Sequence, residues 1–304
     1  MIRRLNIYLP VDTMGVIDRN PNHFYGHVQR AFQGIGFAVE CAVATKASLK
    51  ASFDPDVYCM FHRNTPIHTH AIEARPAPMG PFWMLDNTAD PAQKRASKAT
   101  FSPDKIDGEL SDELAARFHE KFGQIDRPTD IQRGFVLIAL QGALDRQRYW
   151  QTMSPIEMVR QTIAMVTDRQ VFIKFHPGQT YTNEEVRAVH ALADGDRVQV
   201  VNEDLNALLD TCAYTVSMNS TVSVKGLLFG KGGVLFGDAD FHHPFQSVRE
   251  HGVSTSFERV MTDEIYAGKY LLWYLRRQHI ATYKVSVEQD ILRRCANLGW
   301  ELSK

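Results

Sequence analysis

The sequence predicts an α/β fold with two doubly wound parallel sheets. Two observations carry this prediction. Between residues 135 and 236, short apolar segments of strand character alternate with amphipathic helical segments, and the connections are short. Near the N-terminus, a strand, a loop, a helix and a second strand follow one another in the same manner. Alternating units of this kind form parallel strands that are joined by right-handed crossovers.

Composition and charge narrow the classes of function. The 304 residues are 44% hydrophobic and 23% charged, which is typical of a globular protein of one large or two medium domains. The formal net charge of -1 provides no global field for nucleic acid, so we expect no nucleic-acid partner and any anion site to be local.

Cysteine usage and hydropathy indicate the compartment. The four cysteines are far apart and form no CxxC pair, which fits free thiols in a reducing cytoplasm. The short apolar run that ends at Pro10 is not typical of a signal peptide, and no segment approaches the roughly 20 apolar residues of a membrane span. We therefore expect a cytoplasmic protein, with peripheral attachment at the inner membrane left open.

The N-terminal half is the less regular one. Strands are predicted over residues 5–9, 37–41 and 56–61, and helices over 24–33 and 110–122. The polar stretch after the first strand is predicted to be a loop, and it lacks the GxGxxG pattern of a dinucleotide site. Residues 62–104 contain six prolines and show no clear elements, while residues 123–134, with Pro128, are predicted to be an interdomain linker.

The second half shows its elements clearly. Strands are predicted over 135–140, 171–175, 198–201, 214–217 and 233–236. Capping patterns at 154–157 and 182–185 open two helices, and shorter helices are expected near 205–209 and from 221 to 229. A last helix over 263–278 combines aromatic and basic residues. We expect it to pack on the core, and a helix at a membrane surface is the alternative.

The strand at 171–175 is the most informative segment. A parallel strand covered on both faces should be almost continuously apolar, but Lys174 interrupts it near its end. Pro177 and Gly178 end the strand, so His176 lies at the carboxyl edge of the sheet, where open α/β sheets bind ligands. The alternative is that Lys174 and His176 only cover the sheet edge.

Two further strand ends carry polar residues at the same edge. Gln141 and Asp145 follow the strand at 135–140, and Asn219, Ser220 and Thr221 follow the strand at 214–217 and open a helix. Hydroxyls and free backbone N–H groups at a helix start favour an anion, and Lys174 and His176 would add donors to it. The pattern GxxxxGK[ST] is absent, so the site is not a P-loop. A phosphate site of this kind suits a nucleotide-sugar transferase.

Other patterns are weaker. Cys59, His62, His68 and His70 could suggest zinc, but their spacing matches no standard zinc motif, and we expect no metal. His242 and His243 follow the last strand and are expected in a surface loop. The aromatic pair Phe82 and Trp83 leads to Asp86 and could form the wall of a sugar site or pack beneath a long loop.

The second half resembles the capsule polysaccharide biosynthesis family, which includes GT-B-type transferases of 3-deoxy-manno-octulosonic acid (Kdo). The likeness covers about residues 80–240. It lies in the strand with Gln141 and Asp145, in Lys174-Phe175-His176-Pro177, in Asn219-Ser220-Thr221 with the later Gly230-Lys231, and in Gly80-Pro81-Phe82-Trp83.

The resemblance implies two Rossmann-like domains that face a cleft, a CMP-activated donor, no metal and no separate cofactor. Residues 1–125 would form the acceptor-side domain, 126–260 the donor domain, and 261–304 a helical tail that packs back on the body. The acceptor would be a lipid or a polysaccharide, with peripheral contact to a membrane or to a capsule export complex.

The resemblance also implies roles for single residues. Asp145 would be the nucleophile or base, supported by Gln141, and His176 and Lys174 would hold the donor phosphate or carboxylate. Ser220 and Thr221 would bind phosphate beside Asn219, Lys225 would touch the nucleotide ribose, and Asp86 would be an acidic residue of the facing domain.

Departures from the family pattern leave alternatives open. The family often has Glu where this chain has Lys225, Pro-Val where it has Gly232-Gly233, and Ser where it has Arg146. A UDP-sugar-dependent transferase or epimerase-like enzyme is the first alternative. A nucleotide-sugar-binding component of a capsule assembly complex without catalytic activity is the second.

Overall fold

The structure is a computed structural model that describes residues 3–54, 56–126 and 133–302. The chain divides into two compact units. Unit 1 comprises residues 1–96 and 274–304, and unit 2 comprises residues 97–273. Each unit contains one six-stranded sheet. Half of the predicted linker at 123–134, residues 127–132, lies outside the described residues.

Unit 1 is built on the strand order β12-β5-β4-β3-β1-β2. Strands β1 to β4 pair in parallel, β5 is antiparallel to β4, and β12 is antiparallel to β5. The elements of this unit are β1 (Arg4–Leu9), α1 (Val11–Arg19), α2 (Phe24–Gly34), β2 (Ala38–Val43), α3 (Lys46–Ala51), β3 (Tyr58–His62), β4 (Ala71–Pro76), β5 (Phe82–Asp86), β12 (Ile280–Ala281) and α13 (Val287–Asn297), while α4 (Arg95–Lys98) lies at its boundary.

Two expectations for unit 1 are wrong. The polar stretch after β1 is the helix α1, because Met14 and Ile17 pack against the core at helical spacing. The proline-rich stretch contains β4 and β5, which form an antiparallel pair. Pro76 lies at the end of β4 and Pro81 lies just before β5. At these positions, the missing proline N–H groups cost the sheet few main-chain hydrogen bonds.

Unit 2 has the strand order β11-β10-β9-β6-β7-β8, and all its strand pairs are parallel. Its elements are α5 (Gly108–Phe122), β6 (Val136–Ala139), α6 (Pro155–Met165), β7 (Val171–Lys174), α7 (Asn183–His190), β8 (Val198–Val200), α8 (Leu205–Thr211), β9 (Tyr214–Ser217), α9 (Thr221–Gly226), β10 (Gly233–Leu235), β11 (Gln246–Ser247), α10 (Val248–His251), α11 (Val253–Arg259) and α12 (Ala267–Leu271).

Both faces of the unit 2 sheet are buried. Val136 and Ile138 of β6 contribute to one apolar cluster, and Leu137 contributes to a separate one. Successive side chains of a strand point to opposite faces, so this division explains the continuous apolar run in the sequence. The sheet is therefore doubly wound, as predicted.

The unit boundaries differ from the sequence-based division at 125/126 and 260/261. Helix α5 belongs to unit 2, where it packs against α12. The chain returns to unit 1 through a π-helical turn, Leu272–Arg277, and α13 then packs against α2. Tyr270 to Leu275 are buried, so this segment packs in the protein core. Among the described residues, no helix is both long and apolar enough to cross a membrane.

Candidate functional site

The strand order of unit 2 places a topological switch point between β6 and β9. From β6 the chain proceeds to β7 and β8 on one side, and it then crosses to β9, β10 and β11 on the other. Adjacent connections that leave in opposite directions open a crevice at the carboxyl ends of the strands, and ligands of such sheets bind there.

A side-chain hydrogen bond joins the two strand ends at the switch point. The Gln141 amide Nε2–H donates to Asn219 Oδ1 at 2.5 Å, and Asn219 Nδ2–H donates to the Asp238 carbonyl at 3.0 Å. Gln141 follows β6, Asn219 follows β9 and Asp238 follows β10. Three of the predicted strand connections are therefore tied together by one amide chain.

Lys174 ends β7, next to β6, and its side chain is half-buried. Its Nζ donates to the Glu203 carbonyl at 2.8 Å, which leaves two of its three N–H donors for another partner. Burial lowers the pKa of Lys174, while the nearby Glu203 and Asp204 raise it. The predicted interruption of the strand is thus a lysine that is anchored at the sheet edge.

His176 lies on the exposed side of the same edge. The ring Nδ1 of His176 accepts from Gly178 N–H at 3.0 Å, and the main-chain N–H of His176 donates to the Tyr181 hydroxyl at 3.2 Å. Because Nδ1 acts as the acceptor, the proton of the neutral ring resides on Nε2. The imidazole can therefore donate a hydrogen bond from Nε2 to an anionic oxygen.

Ser220 caps α9, and its hydroxyl accepts from Val222 N–H at 3.3 Å. Lys174, His176 and Ser220 contribute to the wall of one small cavity of about 30 Å³. That volume holds about one water molecule, so the cavity is a recess in the site and is too small for a nucleotide. Thr221 is the exposed first residue of α9, which has only six residues before a 3₁₀ turn.

The other predicted site residues are more dispersed. Asp145 is exposed, and no described residue bonds its carboxylate. Lys225 is half-buried on α9, where burial lowers its pKa and Asp204 and Asp126 raise it. Asp86 belongs to unit 1, is 2% exposed and accepts main-chain N–H groups of Arg95 at 2.8 Å and Asn87 at 3.1 Å. Burial raises the pKa of Asp86 in spite of these bonds.

The residues of the weak zinc pattern have other partners. His62 Nδ1 and the Tyr25 hydroxyl are 2.8 Å apart, and the His68 ring contacts the Ser52 carbonyl at 3.0 Å. Cys59 is buried, which raises the pKa of its thiol to about 12. In the described ranges, no group of three or more His, Cys, Asp or Glu is placed to hold a metal ion.

Sequence reasoning missed several residues around the switch point. Tyr181 bonds the His176 backbone, and the Glu185 carboxylate accepts Leu144 N–H at 2.5 Å. Gln179 accepts Gly142 N–H. Their spacing along the chain carries no signal, because loops that are adjacent only in the folded sheet bring them together.

Comparison with known proteins gives no match among protein families or curated sequences. Among solved structures, the chain is similar to KpsC, a beta Kdo 2,7 transferase of Thermosulfurimonas dismutans. The TM-score is 0.54 at 10% identity, over 96% of this chain and 100% of that one. This likeness confirms the fold class, an α/β protein of two Rossmann-like domains.

Two further structures are less similar. The KpsC beta Kdo 2,4 transferase of the same organism has a TM-score of 0.48 at 11% identity, over 89% of both chains. The S. aureus MnaA–UDP structure has a TM-score of 0.41 at 9% identity, over 98% of both chains. Both scores are too low to support a conclusion about this chain.

Proposed function

We propose that the chain is a GT-B glycosyltransferase of surface polysaccharide synthesis, which acts in the cytoplasm or at the inner membrane. The observation that carries the proposal is the Gln141–Asn219 bond at the switch point of unit 2, with Lys174 and His176 on the adjacent strand end. The fold likeness to a Kdo transferase and the sequence resemblance support Kdo as the sugar and CMP-Kdo as the donor. The acceptor is a lipid or a glycan.

The proposed chemistry follows from the groups at this edge. A sugar transfer breaks the bond between the anomeric carbon and the nucleotide phosphate, so negative charge grows on a phosphate oxygen. His176 Nε2–H and the free N–H groups of Lys174 would donate to that oxygen and stabilise the leaving group. Asp145 is the candidate for the nucleophile or base, since its carboxylate is exposed and has no partner in the described part of the chain.

Nucleotide binding tests the proposal first. A ligand that binds only the folded state raises the melting temperature, so CMP at millimolar concentration should raise it while UDP and GDP have smaller effects. A shift with UDP alone would favour a UDP-sugar transferase or epimerase-like enzyme, the alternative that Lys225 supports. If no nucleotide shifts the melting temperature, the proposal is wrong.

Donor turnover then tests catalysis. We expect His176→Ala to slow transfer about 10²- to 10³-fold and Asp145→Ala about 10²- to 10⁴-fold, with the fold intact. Glu184→Ala, an exposed change on α7, is the control and should retain wild-type turnover. Wild-type turnover in both His176→Ala and Asp145→Ala would mean that the catalytic assignment is wrong. Loss of turnover with the fold intact would exclude a binding component without catalytic activity.

A further inference from the structure

The loop between β6 and α6, residues 140–154, is fixed to the end of β10. Gln151 forms an antiparallel bridge with Gly237, and Thr152 N–H donates to the Phe236 carbonyl at 2.9 Å. Asp238 N–H donates to the Trp150 carbonyl at 2.8 Å. Main-chain hydrogen bonds of the kind that join β-strands therefore fix this part of the loop to the sheet.

Arg148 is the residue that this support positions. The Gln151 side chain is 2% exposed, and its Oε1 accepts Arg148 N–H at 2.8 Å. In return, Gln151 N–H donates to the Arg148 carbonyl at 2.9 Å. One bond to the buried Gln151 side chain and one to its main-chain N–H therefore fix the Arg148 backbone.

The Arg148 guanidinium lies over Gly142, beside the switch-point pair. A Cβ at position 142 would overlap the guanidinium nitrogens, so any larger residue there would displace the guanidinium from this position. The guanidinium carbon is 5.5 Å from the centre of the Trp150 ring. Within residues 3–54, 56–126 and 133–302, no carboxylate or carbonyl accepts from this guanidinium, whereas the Lys174 ammonium donates to the main-chain carbonyl of Glu203.

We propose that Arg148, from its position over Gly142, binds an anionic oxygen of the donor. The inference rests on the proposed function. A guanidinium binds carboxylate or phosphate through two parallel N–H groups, which a lysine cannot do. The anion is either the phosphate of the nucleotide or the carboxylate of a sugar acid, and both present the same pair of oxygens.

Arg148→Ala tests the binding role, and Arg146→Ala, an exposed change two residues away in the same loop, is the matched control. We expect Arg148→Ala to weaken CMP binding about 10- to 100-fold and to leave cytidine binding unchanged, because cytidine lacks the phosphate. A loss that appears only with intact CMP-Kdo would assign the guanidinium to the sugar carboxylate. Unchanged binding of both CMP and CMP-Kdo would overturn the proposal.

Gly142→Ala tests the same contact without removing the arginine. Gly142 has a φ of 73° and Gly195 has a φ of 81°, so alanine is strained at both positions. At position 195, however, a Cβ meets no atom within 4 Å. We expect similar losses of stability in the two variants and weaker CMP binding only in Gly142→Ala. Equal CMP affinities in both would contradict the proposal.

A separate probe distinguishes failure of this inference from failure of the proposed function. If the wild type binds no nucleotide, the proposed function is wrong, and inorganic pyrophosphate then replaces CMP as the anion. A thermal shift with pyrophosphate that Arg148→Ala abolishes and Arg146→Ala retains would support an anion site at Arg148. Equal shifts in both variants would exclude it.

Discussion

The two sheets place different chemistry at the points where their strand order reverses. In unit 1 that point lies between β1 and β3, and the polar residue there is His62, paired with Tyr25. In unit 2 it lies between β6 and β9, and on the adjacent β7 end Lys174 and His176 keep N–H donors that no described residue accepts. Two Rossmann-like sheets of one chain thus differ in whether polar groups at the strand ends bind one another or remain available.

The interior of unit 1 strengthens this contrast. Lys94 Nζ and Glu73 Oε2 are 2.6 Å apart, and the two side chains are only 2% and 8% exposed. Glu73 lies opposite Asp86 in the β4–β5 pair, and both oxygens of Asp86 accept main-chain N–H groups. The buried charges on and beside β4 and β5 are therefore bound within unit 1, whereas Lys174 and His176 of unit 2 are the groups for which we propose a ligand.

The largest expected effect comes from the buried ion pair. Lys94→Met should lower the free energy of unfolding by about 3–5 kcal/mol, because the buried Glu73 carboxylate loses its 2.6 Å contact and keeps only the more distant Arg75, at 3.9 Å. Denaturant unfolding measures the change. The exposed pair Arg160–Glu157 is the control, and Arg160→Met should cost less than about 1 kcal/mol. Similar losses of unfolding free energy in the two variants would mean that burial does not make the Lys94–Glu73 pair more important for stability than an exposed pair.

The second prediction concerns acid stability and His62. Burial lowers the pKa of His62 from 6.5 to about 4, with Arg63 and His23 acting in the same direction and Glu73 against them. The unfolded chain therefore binds more protons than the folded one below pH 6.5. The contribution of neutral His62 to the free energy of unfolding is therefore complete above pH 6.5, and it is lost as the pH falls towards 4.

His62→Gln should remove this dependence. From pH 7 to pH 4 the wild type should lose about 2 kcal/mol more of its unfolding free energy than the variant, as measured by urea unfolding at each pH. His243 of unit 2 also has its pKa lowered to about 4, by burial and by His242. His243→Gln should therefore also reduce the loss of unfolding free energy between pH 7 and pH 4. Parallel pH profiles of wild type and His62→Gln would contradict the prediction.

The smallest effect is expected at Glu185. Its carboxylate accepts Thr182 N–H at 2.8 Å and Leu144 N–H at 2.5 Å, so it joins the cap of α7 to the loop after β6. Glu185→Ala should cost about 1–2 kcal/mol of unfolding free energy and speed amide exchange at Leu144. The adjacent Glu184→Ala should cost less than about 0.5 kcal/mol. Equal exchange rates at Leu144 in the two variants would rule out this connection.

The sequence predicted unit 2 well because its signals are local. The strand at 214–217 has the predicted bounds, and the helix that the pattern at 182–185 opens begins at Asn183 with its cap on Thr182. In unit 1, α1 and the β4–β5 pair were missed. Their Gly15, Pro76 and Pro81 oppose regular structure locally, and only contacts that form in the folded unit compensate for them.

The candidate site shows the same limit. That three strand ends meet follows from parallel pairing, so the neighbourhood of Gln141, Lys174 and Asn219 was predictable. The bond between Gln141 and Asn219 was not, since it depends on which strand lies beside β6. Arg148 gave no sequence signal either, because its position depends on Gln151 and on the absence of a side chain at Gly142.

The π-helical turn at 272–277 has a consequence for biosynthesis. The first unit is interrupted by the second, and its core includes Ile291, Cys295 and Trp300, which are synthesised after all of unit 2. Unit 2 is complete in sequence before unit 1 is. Domains usually fold as units in the order of their synthesis. Here the part of unit 1 before residue 97 must wait for the part after residue 273, so the inserted unit 2 can fold before unit 1.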